Sequence, residues 1–97
     1  MVYDFKWNSI KAKRNIVKHG VSFELAATVF RDPRAISIYD DAHSESQDRW
    51  VTFGIAESGS ILAVHHTIDE NDVETVLIGI ISSRKATRRE IVQYKEA

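Results

Sequence analysis

No cysteine occurs among the 97 residues. That absence removes disulfides, thiolate metal sites and cysteine nucleophiles together, and nothing in the chain depends on an oxidising compartment. Long apolar runs are missing as well: none approaches the roughly 20 residues that a membrane-spanning helix needs. The opening Met1-Val2-Tyr3-Asp4-Phe5-Lys6 lacks a signal-peptide pattern. A cytoplasmic protein without a membrane partner is expected. No repeat, linker or low-complexity segment divides the chain, so residues 1–97 read as one domain with one modest core. Cations are almost absent from the middle. From Asp40 to Glu74, Arg49 stands alone against nine carboxylates.

The ends compensate. Lys6, Lys11, Lys13, Arg14 and Lys18 lie in the N-terminal third, and Arg84, Lys85, Arg88, Arg89 and Lys95 near the C-terminus, so the net charge is only −1. If the two ends meet in space, a near-neutral protein presents a basic face; if they do not, these are two solvated helix faces.

Tyr3 to Trp7 alternates apolar and polar residues, as a half-buried strand does. Asn8 or Ser9 caps a first helix running to about Lys18-His19, and Gly20 supplies its left-handed end. Ser22 caps a second helix with Phe23, Ala26, Ala27 and Phe30 on its buried stripe. Asp32-Pro33 ends it, because the residue before proline is pushed out of the helical region. Strands follow at 35–39, 50–56 and 61–68, the last two joined by a turn at Glu57-Ser58-Gly59-Ser60. After an acidic turn at Asp69 to Asp72, a final strand is expected from about Val73 to Ile81. These elements predict an α+β domain, an antiparallel meander with helices on one face. The polar stretch Asp40 to Arg49 holds Asp, His and Ser residues but nothing like a nucleophile elbow, and reads as a mobile surface loop.

The segment Ile80-Ile81-Ser82-Ser83-Arg84-Lys85-Ala86-Thr87-Arg88-Arg89-Glu90 carries the clearest functional signal. An apolar run breaks into cations, and Thr87 with Glu90 forms a capping box that opens a helix. Arg88 and Arg89 then occupy the first turn, where the macrodipole disfavours cations by about 0.3–1 kcal/mol each. Four cations beside unpaired N–H groups suit a phosphate better than they suit folding.

Phe5-Lys6-Trp7, then Asn15 with Lys18-His19-Gly20-Val21-Ser22-Phe23-Glu24, then Ala26-Ala27-Thr28-Val29-Phe30-Arg31-Asp32-Pro33 resemble the BrnT toxin family. The similarity resumes at Asp48-Arg49, Gly54 and His66-Thr67, and again from Ile80 to Thr87 with Glu90 and Tyr94. The resemblance implies a small RelE-like antiparallel β-sheet with N-terminal helices and a C-terminal helix packed on it. It implies a metal-independent endoribonuclease of a type II toxin–antitoxin system that inhibits translation. A cognate protein antitoxin neutralises such a toxin and contacts operator DNA in its place. Toxin homodimers within a larger toxin–antitoxin complex are implied too.

Metal-free RNA cleavage needs a base for the 2′-hydroxyl, cations for the phosphorane and an acid for the 5′-oxygen, the acid–base groups giving about 10²–10⁴-fold. By the family pattern, Arg84, Lys85, His66 and Tyr94 are the expected catalytic residues, and Arg88, Arg89, His19 and Lys18 the RNA-binding ones. Arg84 leads because its planar fork matches two phosphate oxygens, the alternative being a salt bridge to Glu90 or to an acidic turn. An unperturbed histidine titrates near pH 6.5, which would let His66 take either proton role. Its neighbour His65 faces the other way, so a two-histidine metal site is not expected, nor is a cofactor.

Two positions depart from the pattern. Asp69 and Gly79 stand where family members often carry arginine, and single-donor losses at such sites cost about 2.7–4 kcal/mol. This supports a second reading, a weak or inactive homologue that binds an antitoxin in operon autoregulation. Direct DNA binding has less support, since no helix-turn-helix signature is present.

Overall fold

The computed structural model describes residues 2–70, 72 and 74–97. Val2–Lys6 form β1. The Asn8 side chain then accepts the N–H groups of Ile10 and Lys11, at 2.9 and 3.1 Å, and opens α1 at Ser9–His19. Gly20, at φ 70°, ends that helix by donating its N–H to the Ile16 carbonyl, a backbone angle that favours glycine. Ser22 caps α2 (Phe23–Ala27) through Leu25 N, and α2 tightens into a 3₁₀ turn at Thr28–Arg31. Asp32 leaves in extended conformation ahead of Pro33, as its place before proline requires. The remaining elements are β2 (Ile36–Tyr39), a second 3₁₀ turn (Asp41–His43), β3 (Trp50–Ile55), β4 (Ile61–Glu70), β5 (Thr75–Lys85) and α3 (Arg88–Glu96). Val73, where the last strand was expected to start, and Asn71 in the acidic turn lie outside the described residues.

The domain is α+β, built on one five-stranded sheet in the order β1-β5-β4-β3-β2. From β2 to β5 it is the expected antiparallel meander, but β1 runs parallel to β5, with Val2 opposite Thr75 and Lys6 opposite Gly79. The sheet is therefore mixed. Alternation along residues 3–7 specifies a half-buried strand without specifying its direction, which is set by the packing of α1 beside β5.

Helices on one face were expected, and the structure corrects this: they cover both. Leu62, Val64, Val76, Ile78 and Ile80 face α2 and the first 3₁₀ turn, where Phe23, Ala26 and Val29 close the main core. Phe53 and Ala63 alternate to the opposite face, where Tyr94 of α3 packs on them. Both faces of β3 and β4 are apolar in this region, so both need a cover. Gly54 lets the first 3₁₀ turn lie flat on β3, since a Cβ there would stand 2.8 Å from Val29 Cγ1.

The last strand also runs further than expected. Ser82, Ser83 and Arg84 pair with His65, Val64 and Ala63, so Arg84 and Lys85 are strand residues. Asn15 explains the extension: its Nδ2 donates to the Ser83 and Val21 carbonyls, both at 2.8 Å, and its Oδ1 accepts the Ser83 N–H at 3.1 Å. Between Ile80 and Ser82 the register skips one residue, leaving Ile81 as a bulge. No helix among the described residues is long and apolar enough to cross a membrane.

Candidate functional site

On its face α3 covers β3 and the start of β4. The rest of the β1–β5–β4 side stays open, and strand alternation places Lys6, Gly79, Thr67, Asp69, His65, Ser82 and Arg84 on it. Here Lys6, Lys11, Gln47, Thr67, Asp69 and Gly79 border a cleft of about 400 Å³, reached at one end by the start of α1. Gly79 makes its floor, because any Cβ there would run into Thr67 Oγ1. Lys6 Nζ lies 4.0 Å from Asp69 Oδ2 with both side chains 60% exposed, a pair of little energetic weight.

Beyond the Ile81 bulge, a smaller cleft of about 220 Å³ is lined by Asp40, His43, Arg49, His65, Ile81 and Ser82. The loop over it, read from sequence as mobile, is braced. Asp40 N–H donates to the Arg49 carbonyl, Ser44 Oγ to the Asp40 carbonyl, and Tyr39 Oη to Asp48. His43 Nδ1 lies 3.1 and 3.0 Å from the two oxygens of Asp40. His65 Nδ1 lies 4.0 Å from Asp40 Oδ2. Burial, then the charge of Arg84, hold the His65 imidazole below its usual titration range. Arg49 Nε is buried and has no protein acceptor. Among the described residues, no three His, Asp or Glu side chains group as metal ligands.

Arg84 donates from Nη1 and Nη2 to the two oxygens of Glu90, at 2.7 and 3.0 Å. Glu90 also accepts the Thr87 N–H at 2.8 Å and donates its own N–H to Thr87 Oγ1, completing the capping box. The Arg84 hydrogen bond, against some burial and with help from the Thr87 N–H, pulls the Glu90 carboxyl down to about 2. The ion pair weighed from sequence therefore exists, and it fixes the guanidinium beside the smaller cleft.

The other residues named from sequence do not converge on Arg84. Lys85, opposite Leu62, alternates to the other face. Arg88 and Arg89 are exposed in the first turn of α3, while Lys18 and His19 end α1 on the far side of the sheet. His66 is fully buried, with Nε2 2.6 Å from Thr52 Oγ1, Nδ1 3.2 Å from the Thr67 carbonyl, and Phe30 edge-on to the ring. Burial, outweighing the Thr67 bond, lowers its titration to about 4. Tyr94 shares Arg84's face but is buried beneath α3 against Phe53 and Ala63, its hydroxyl donating to Asp32 Oδ2 at 2.6 Å. That bond, and then burial, raise its titration. Neither side chain reaches the open clefts.

Lys6, Lys11, Gln47, Asp40, His43, His65 and Arg49 were not named as site residues from sequence. Only the Asp40–His43 spacing offered a local signal; the others meet through strand register and loop closure.

The family described as "Ribonuclease toxin, BrnT, of type II toxin-antitoxin system" matches this chain over residues 7–90. The chain is also similar to the crystal structure of the ribonuclease toxin BrnT of Brucella abortus, with a TM-score of 0.65 and 22% identity over 91% of this chain and 100% of that one. At that identity the likeness bears on the fold, which it supports as α+β. No curated protein sequence matches the chain.

Proposed function

The chain belongs to the BrnT family of ribonuclease toxins of type II toxin–antitoxin systems, and from that membership we propose that it cleaves RNA bound on the open face of its sheet. Membership in a type II system implies a protein antitoxin as partner. In the proposed arrangement that antitoxin neutralises the toxin and makes the operator-DNA contact, with toxin homodimers inside the complex. The site of action is the cytoplasm, the outcome is blocked translation, and the reaction uses neither metal nor cofactor.

The observation that carries this reading is the clustering of cations on one uncovered surface of a near-neutral protein. Lys6 and Lys11 border the larger cleft, Arg49 lines the smaller one, and Arg84 stands next to them on the same face. Such a surface binds a phosphate backbone without needing overall positive charge. Arg84 is the phosphate-stabilising group, held in one orientation by Glu90 with further N–H donors left over. Lys85, Arg88, Arg89, Lys18 and His19 serve at the periphery, where they meet the ends of a longer strand. His66 and Tyr94 act as scaffold.

Purified protein incubated with single-stranded RNA in EDTA tests the proposal. Cleavage is expected, falling about 10²–10³-fold in Arg84→Ala while far-UV circular dichroism stays unchanged. Intact RNA after prolonged incubation with wild-type protein would sink the catalytic reading.

One observation favours the alternative of a non-cleaving antitoxin-binding module: Asp69 places a carboxylate beside Lys6 in the larger cleft. A complex with antitoxin and altered operator affinity, without RNA loss or growth arrest, would select it.

A further inference from the structure

We propose that His65 and His43 are the general base and general acid of the RNA cleavage, with Asp40 positioning His43 and with Arg49 and Arg84 flanking the scissile phosphate. This inference rests on the ribonuclease reading and assigns its proton transfers to groups in the smaller cleft.

The geometry supplies each part. A carboxylate can only accept, so the Asp40 contacts at 3.0–3.1 Å put a proton on His43 Nδ1 and leave Nε2 as the exchanging nitrogen. The His43 side chain is 67% exposed, so a substrate can reach it. His65 Nδ1 lies 4.0 Å from one of the same carboxylate oxygens, Asp40 Oδ2, and its environment favours the neutral, proton-accepting imidazole. Arg49 brings a buried N–H without a protein acceptor to the same cleft, and a phosphate oxygen is a suitable partner for it. The groups acting on His65 are Asp40 at the end of β2, His43 in the loop, Arg84 of β5 and Glu90 of α3, with Arg49 sharing its cleft.

The chemistry balances without water or a co-reactant. Neutral His65 takes the proton of the ribose 2′-hydroxyl as that oxygen bonds to phosphorus. The P–O5′ bond breaks, and the 5′-oxygen receives a proton from imidazolium His43. The products are a 2′,3′-cyclic phosphate and a 5′-hydroxyl, and proton exchange with solvent resets both rings.

The test compares wild type, His65→Gln, His43→Gln and the double variant on a short fluorescent RNA, with RNA affinity by anisotropy and thermal unfolding measured alongside. Each single variant should lose about 10²–10⁴-fold in kcat with RNA affinity and melting temperature nearly unchanged. A bell-shaped pH profile in wild type should lose its acidic limb in His65→Gln and its alkaline limb in His43→Gln. The exposed His43 keeps the test informative if His65→Gln unfolds. If wild type cleaves RNA and the folded variants cleave within about threefold of it, the histidine assignment is overturned and the ribonuclease reading stands. Wild-type protein that leaves RNA intact overturns both.

Discussion

The imidazole of His66 is held neutral by its partners. The Thr67 carbonyl can only accept, so Nδ1 carries the proton; Nε2 must then accept from Thr52, whose Oγ1 lies 2.7 Å from Ser37 Oγ. A second proton would place two donors face to face in the core, until Thr52 and Ser37 reversed their bonds. The sign of the pH dependence follows. Above about 6.5 neither folded nor unfolded chain is protonated here; below it the unfolded chain takes up a proton and the folded one resists until about 4. Stability should therefore fall between these values by about 3 kcal/mol, at 1.36 kcal/mol per unit. His65, also lowered, adds in the same direction, so the readout is the difference between wild type and His66→Gln in denaturant titrations from pH 7 to 4. Equal slopes in the two proteins would refute it. Tyr94 belongs to the same class of interior residue. With the Ile55 N–H it converges on Asp32 Oδ2, tying α3 and β3 to the end of the first 3₁₀ turn.

At the level of elements, boundaries set by local chemistry were legible in the sequence. Asn8, Gly20, Ser22 and the Thr87–Glu90 box each act through neighbours two to four positions away, and each acts as expected. What could not be read was decided by residues distant along the chain. The extension of β5 through Arg84 depends on Asn15, sixty-eight positions from Ser83, and nothing near Asn15 announces that role. The direction of β1, the second helical face, the burial of His66 and the gathering of His43, Arg49 and His65 depend likewise on long-range pairing. Asn15→Leu should leave the Ser83 N–H and two carbonyls without their partner, at about 1–3 kcal/mol per buried group. A loss of about 3 kcal/mol or more is expected in chemical denaturation, with Arg84 and α3 the first parts to lose hydrogen-exchange protection. Protection lost evenly over the whole sheet would argue against so local a role.

Over the whole molecule, the charge pattern divides according to partner rather than by net value. The N- and C-terminal cations do meet, through β1 and α1 beside β5, although they spread over both sides of the sheet. On the open side, Asp69 is the carboxylate set against Lys6. Asp69→Arg should therefore tighten RNA binding and steepen its dependence on salt, by up to about 0.7 in log–log slope for each further phosphate neutralised. An unchanged slope in anisotropy titrations would place the RNA elsewhere. Gly79→Arg should bring less benefit, because its Cβ collides with Thr67 Oγ1. The parallel pairing of β1 with β5 has one more consequence, and it concerns time. The first strand made has no partner until residues 75–79 have been synthesised, and the last of these, Gly79, lines the larger cleft. Pairings so distant along the chain form late. A ribosome making this protein would therefore have nearly finished before the surface proposed to attack RNA could assemble.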